Sequence, residues 1–493
     1  MRLLRLAIVG SVFLASNVFA AAAVADTSHF CFIPVPLAPN KVYSPGYTPL
    51  IMQVRTFPGS RWPIFRPWGA LNRLLVLNEQ DELENPDGFP LDLYDYVTEP
   101  SGRVVGFWSG GTPAQLYIQD QATGRFVGLE GTDNKTIGAV FTAGWISSRR
   151  VTLIGTSNGL FSLAADDPIP KVSRLDLNGA IIGQVRWIND LPSHRAAAIG
   201  TDGARAFILN ADNRVNEVPG FQIPPPNYST RFSEIDHPDR LLIQTNEELW
   251  TAPMRREGDV TIPDQADRIT SYMFDGNVLQ YYPAVHQYLV YAKLNRWFTP
   301  SPALLRLQEE LTPIEGSTGL DHPFIRNIPS RGIVSIETFS SGIYTYDGTS
   351  ALKPIADSTK AEIGEYPKVY DLVGQDRVVV VTTRGLYELT AEGHLNRLPL
   401  PPELEGAKFN QLAEIPESHL AVIFTDRGAF ELDPANRLLR IRGVDGVGFG
   451  ITDVDTVTLI PVRETLFVST YHSGSFMILD SDKAGEAACA VAR

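Results

Sequence analysis

Along most of the chain, short apolar runs rich in β-branched residues alternate with tight polar turns. Three segments show the unit most clearly: VTLIGTSNGLFSL at 151–163, RVVVVTTRGLYEL at 377–389 and HLAVIFTDRGAFEL at 419–432. In each, an apolar run ends in Thr, a short polar turn containing Gly follows, and a second apolar run begins. That is the pattern of two antiparallel strands joined by a tight turn. The turn position, called the pivot below, recurs at Ser109, Thr156, Thr201, Thr245, Ala292, Thr338, Thr383, Thr425 and Thr470, with spacings of 47, 45, 44, 47, 46, 45, 42 and 45 residues. So steady a period fits four-stranded propeller blades, and the 3.6-residue rhythm of helical repeats does not accompany it.

Each period holds two further strands. A short one precedes the pivot run, as in GQVRWIND at 183–190, TRFSEID at 230–236, PKVYDLV at 367–373 and VDTVTLI at 454–460. A more charged one follows, as in HLNRLPL at 394–400 and RLLRIRG at 437–443. The pattern predicts an all-β fold: a single large β-propeller of eight or nine four-stranded blades over residues 91–481. Residues 26–90 fall outside the register and read as an N-terminal closing or clasp segment, with Leu50–Val54 placed to complete the last blade. Residues 482–493 read as a C-terminal tail. Pairing of the terminal segments is expected to close the ring.

The first 25 residues read as a secretory signal peptide. Arg2 and Arg5 precede the apolar stretch Leu6–Leu14, and Ala23-Val24-Ala25 is a small-x-small cleavage pattern. Cleavage after Ala25 predicts a secreted or periplasmic protein with no membrane span, monomeric once exported. Net charge is −14, from 42 Lys and Arg against 56 Asp and Glu, and loss of Arg2 and Arg5 makes it −16. A surface that acidic lacks the clustered cations that nucleic-acid binding requires. The only two cysteines, Cys31 and Cys489, lie near opposite ends of the chain. In an oxidising compartment a closed ring is expected to join them in a disulfide. Asn134 and Asn227 stand in glycosylation sequons.

The strings IGTSNGLFSL and TTRGLYEL resemble the two-component-regulator propeller repeat and, more loosely, exported quinoprotein-like propellers. The resemblance implies the fold and a role in sensing a ligand or partner, without naming an activity. In that family the repeats precede a membrane helix and signalling domains, neither of which is expected here.

The one G-x-S-x-G, Gly155-Thr156-Ser157-Asn158-Gly159, sits in a strand-turn-strand pivot without the following helix that a nucleophile elbow needs, and there is no H-E-x-x-H. No cofactor is predicted. A channel metal would have to be assembled from several blades, and Asp95, Asp190, Glu234, Asp371, Glu414 and Asp453 are the carboxylates near inner strands. They define the alternative reading, a metal-dependent lactonase or hydrolase with its site in the central channel. His194, His286 and His419 recur in the turn before the pivot run and read as exposed turn residues. The main reading is a non-catalytic binding scaffold. Its candidate face is the pivot-loop end, with Arg296, Trp297 and Phe298 on a ten-residue insert and Trp108, Phe339, Tyr471 and His472 on other pivot loops. Aromatic side chains beside Arg are typical binding anchors. A second departure, FPGSRWPIFRPW at 57–68, reads as a structural clasp.

Overall fold

In the computed structural model, residues 27–35, 51–55, 64–67, 75–78, 82–84, 95–107, 115–119, 126–165, 170–202, 205–221, 230–234, 239–245, 248–271, 280–292, 303–307, 311–321, 323–349, 351–442, 454–460, 465–470 and 474–480 are described. They form ten blades of consecutively paired antiparallel strands, which we number along the chain. Blades 1 to 5 span 51–84, 95–128, 140–174, 185–217 and 231–271. Blades 6 to 9 span 280–313, 324–354, 368–397 and 409–442. Blade 10 takes three strands from 454–480 and its fourth from Thr27–Pro34 at the other end of the chain.

Ten blades exceed the expected eight or nine, and the additional one lies in the segment read as a clasp. Blade 1 is built from Ile51–Arg55, Ile64–Pro67, Leu75–Leu77 and Leu83–Glu84. Its strands are short, and Trp68 follows its second strand where Thr or Ser marks most other blades. The motif therefore hides a repeat that the spacing, stepped back from Ser109, would have allowed. Ile64–Pro67 of the FPGSRWPIFRPW strip is thus a blade strand, and the rest of the strip lies outside the described residues. Ile51–Arg55 begins blade 1 and does not complete the last blade.

Thr27–Pro34 performs that closure. It pairs antiparallel with Gly474–Asp480, bringing Cys31 opposite Leu479, and parallel with Leu438–Arg442 of blade 9. Phe32 is fully buried there, edge-on to Phe424 and Phe476 at 6.4 and 5.9 Å. Ser28 Oγ donates to buried Glu431 at 2.6 Å.

The cores lie between blades, because a four-stranded sheet has two faces and cannot cover both itself. Leu372, Val379 and Leu386 of blade 8 pack on Phe409, Leu412 and Phe430 of blade 9. Ile188 and Ile199 of blade 4 meet Leu153 and Leu160 of blade 3. Phe65, Leu75 and Leu77 of blade 1 pack on Ile460, Phe467 and Met477 of blade 10, which completes the circuit. Second strands are the most deeply buried, as in Ala196–Thr201 and Arg377–Thr382, consistent with their β-branched and small apolar content.

The pivot threonines hold their turns. Thr156 Oγ1 donates to the Gly159 carbonyl at 3.1 Å and accepts from Asn158 N–H at 3.0 Å. Thr425 repeats both bonds with Gly428 and Arg427, at 2.9 and 3.1 Å. In blade 8 the equivalent is Thr382, bonded to Gly385 and Arg384, so the pivot sits one residue before the expected Thr383. Thr383 instead accepts from Glu365 N–H at 3.0 Å, as Ser157 does from Ala139 at 2.9 Å.

Phe32→Ala leaves a cavity where the chain termini meet and is expected to cost about 3–5 kcal/mol. Equilibrium denaturation measures it, and a loss under 1 kcal/mol would mean the closing strand adds little to the ring.

Candidate functional site

Strand direction gives the ring two ends. Loops between second and third strands, and those joining successive blades, share the pivot end. Turns between first and second strands, and between third and fourth, share the other, the turn end.

At the turn end, blades 3, 4, 6, 7, 8 and 9 link their first two strands through one turn of 3-10 helix: Ser147–Arg149, Pro192–His194, Pro283–Val285, Pro329–Arg331, Val373–Gln375 and Pro416–Ser418. Each ends on a left-handed residue, among them His286 and His419. The first N–H groups of such a turn have no partner within it. The next blade supplies one. Asp190 accepts from Ser147 N–H at 3.0 Å and from its hydroxyl at 2.5 Å. Asp371 does the same for Ser330, at 3.0 and 2.5 Å. Glu414 accepts from Gly374 N–H at 2.9 Å, and Asn327 from Ala284 N–H at 3.0 Å. Glu234 accepts from the N–H groups of both Ser193 and His194, at 3.0 and 3.1 Å.

Four of the six carboxylates considered for a channel metal are therefore latches between neighbouring blades. The Asp95 side chain and Asp453 lie outside the described residues. Among the described residues, no three His, Cys, Asp or Glu side chains gather closely enough to hold a metal ion.

His194 differs from the expected exposed turn histidine. It is buried, and its Nδ1 lies 2.8 Å from Glu234 Oε1. Burial alone would raise the Glu234 pKa, but the bonds from His194 and Ser193 outweigh it and hold the carboxyl below its usual range. His419 Nδ1 contacts the Gly374 carbonyl, and His286 lies 3.2 Å from the Tyr281 hydroxyl.

At the pivot end, only Phe339 of the predicted face belongs to the described residues. Arg296, Trp297, Phe298, Trp108, Tyr471 and His472 lie outside them. Phe339 follows pivot Thr338, and its N–H donates to the Asp321 carbonyl at 3.1 Å. Its ring meets Tyr366 edge-on at 4.7 Å, and Lys360 Nζ sits 5.2 Å from its centre. Lys360 begins a one-turn helix, Lys360–Ile363, fixed by reciprocal bonds between Thr359 and Glu362. Nearby, Phe324 is 66% exposed and Tyr366 55%, while Ile181 on the blade 3–4 connection is 90% exposed. Three of the five large apolar side chains most exposed among the described residues thus stand at the pivot end. Ile181, Phe324 and Tyr366 were missed because only residues at the pivots themselves were read as the face. All three lie on or beside connections between blades.

Beneath this patch, Glu337 is buried between blades 7 and 8. It accepts from Arg326 Nε and Val369 N–H, each at 2.9 Å. Burial pushes its carboxyl pKa up against the opposing pull of Arg326. Burial also pushes Tyr370 up to about 12 and Lys368 down. Lys368 Nζ donates to the Asn410 carbonyl of blade 9 at 3.1 Å, so one polar group ties three blades below the aromatic surface.

Cys31 is fully buried and is not a free thiol; Cys489 lies outside the described residues. No helix among the described residues is long and apolar enough to cross a membrane.

No protein-family model and no curated protein matches the chain. Among solved structures it is similar to an extracellular domain from B. thetaiotaomicron assigned to a hybrid two component system, at 13% identity and TM-score 0.35, covering 92% of this chain and 58% of that one. It is also similar to PorZ, a surface component of the type-IX secretion system of Porphyromonas gingivalis, at 14% identity and TM-score 0.30, covering 87% and 59%. Dihydro-heme d1 dehydrogenase NirN in complex with DHE shows 11% identity and TM-score 0.37, covering 83% and 77%. The chain thus spans less than two thirds of the first two. The likeness is one of fold, and the propeller assignment rests on the sheets themselves.

A carboxylate whose folded pKa lies below its unfolded value stabilises the protein above the unfolded pKa, and loses that effect as pH falls through the folded one. The stability gap between the wild type and Glu234→Gln is therefore expected to be largest at neutral pH and to narrow on acidification below about pH 4. Melting temperatures across pH check this, and a gap that widens in acid would reverse the assignment.

Proposed function

We propose that this is an exported propeller scaffold that binds a protein partner or small ligand at its pivot end, in a sensing or assembly role. The observation that carries the reading is the exposed set Ile181, Phe324 and Tyr366, with half-buried Phe339 beside Lys360. Exposed aromatics on a rigid base supply contact area at low entropic cost, and Lys360, ion-paired with Glu365, gives them a polar rim. The Glu337 network below makes the base rigid. The insert carrying Arg296, Trp297 and Phe298 belongs to this proposal, as do Trp108, Tyr471 and His472, because all are pivot-loop residues.

Export is inferred from the N-terminal signal pattern, with cleavage after Ala25. The bridge Cys31–Cys489 is inferred from the buried, non-free state of Cys31 and the chain's single possible partner for it. No observation favours the hydrolase reading, since Asp190, Glu234, Asp371 and Glu414 already bond to turn N–H groups.

Phe324→Ser combined with Tyr366→Asn is expected to leave the melting temperature nearly unchanged and to abolish capture of the partner from extracts of the source organism. Wild type and double variant retaining the same set of molecules would move the site away from this face. Intact mass with and without reductant, and with alkylation, tests the bridge. Two alkylated cysteines before reduction would exclude it.

A further inference from the structure

The turn end carries a second departure from the repeat. In blade 5 the third strand runs ten residues, Glu248–Glu257, and its far half folds back through Val260–Pro263 before the outer strand Asp267–Ser271 returns to pair with the near half. This extra hairpin lies against blade 4. Thr261 N–H donates to Asn210 Oδ1 at 2.6 Å, its carbonyl accepts from Asn210 and Asn216, and its hydroxyl donates to the His194 carbonyl at 3.2 Å. Thr261 and Asn210 are both buried, so the hairpin is fixed in place.

The fixed hairpin leaves a cavity of about 610 Å³ between itself and blade 4, lined by His194, Arg195, Asp212, Arg214, Arg256 and Asp259 among others. Its cations are not equivalent. Arg214 is paired with Asp212, and Arg256 donates to the Ser193 carbonyl. Arg195 forms no ion pair with a described residue and is held in a left-handed conformation at the end of the 3-10 turn. His194 is 4% exposed. Nδ1 is bonded to the Glu234 carboxylate, and Nε2, which has no partner among the described residues, accepts a hydrogen bond in the Nδ1–H tautomer that this contact favours.

We propose that this cavity binds a small hydroxy-carboxylic acid. Arg195, with Arg256 beside it, takes the carboxylate, and His194 Nε2 accepts from the hydroxyl. Arg195 offers a planar donor pair that no ion pair with a described residue occupies, which suits a carboxylate. An acceptor held in a buried position favours ligands with a hydroxyl over those lacking one, which would leave it unpaired. Asp212, Glu257 and Asp259, which also line the cavity, disfavour polyanions. The site is independent of the pivot-end surface and stands or falls separately.

Titration calorimetry of the full mature chain with L-malate, succinate and inorganic phosphate tests it. Malate should bind saturably, and succinate, which lacks only the hydroxyl, at least about tenfold more weakly. Arg195→Gln should weaken malate at least about tenfold with the melting temperature unchanged. Arg256→Gln should weaken it too; if it loosens the hairpin, Arg195→Gln still decides. Absence of malate binding at millimolar concentration overturns the proposal, as does binding indifferent to Arg195→Gln. Equal binding of malate, succinate and phosphate would reduce the cavity to a general anion site and overturn the hydroxyl selectivity.

Discussion

A twisted four-stranded sheet exposes two apolar faces, and none of its own four strands is available to cover either. Everything in this architecture follows from that shortage. Each blade is stable only because the next lies against it, so burial, hydrogen bonding and ring closure are all properties of junctions. The side chains that matter most are accordingly those that act across a junction: Ile188 against Leu153, Leu386 against Phe430, Asp371 on the turn of the preceding blade. A buried sheet face gains from any apolar neighbour, whereas a carboxylate on a specific N–H sets the angle and register between blades. The acid latches are thus alignment devices laid over a less directional hydrophobic attraction.

This division explains what was legible in the sequence. Strand pairs with a Thr-x-x-Gly pivot were plain, because turn geometry and β-branching are local. Blade 1 was not, since Trp68 replaces the expected hydroxyl and its short strands owe their burial to Phe467 and Met477, some four hundred residues away. The same limit affected the acids. Their recurrence near inner strands was visible, but whether they faced a channel or a neighbour's backbone depends on packing between blades. Asp190, Glu234, Asp371 and Glu414 recur because the 3-10 turn recurs, and an unpartnered N–H invites an acceptor wherever the turn does. His194 was misjudged for a related reason: its burial comes from a hairpin of the following blade.

The two ends of the ring divide the chemistry. Pivot-end loops are anchored by buried threonines and carry exposed apolar side chains, a combination suited to a broad contact. Turn-end connections are short and latched, and only the added hairpin of blade 5 turns one into a walled space. Function on a propeller is placed by such departures, since repeated units otherwise present repeated surfaces.

The closing strand, finally, sets an order of events. Thr27–Pro34 is made first, yet its partners, Leu438–Arg442 and Gly474–Asp480, are made last. Blades in between can collapse on one another as they are completed, but the ring cannot seal until Gly474–Asp480 has been made. The segment Thr27–Pro34 therefore stays without its native partners while the blades between are being made, and the molecule is until then an open arc awaiting its final strand.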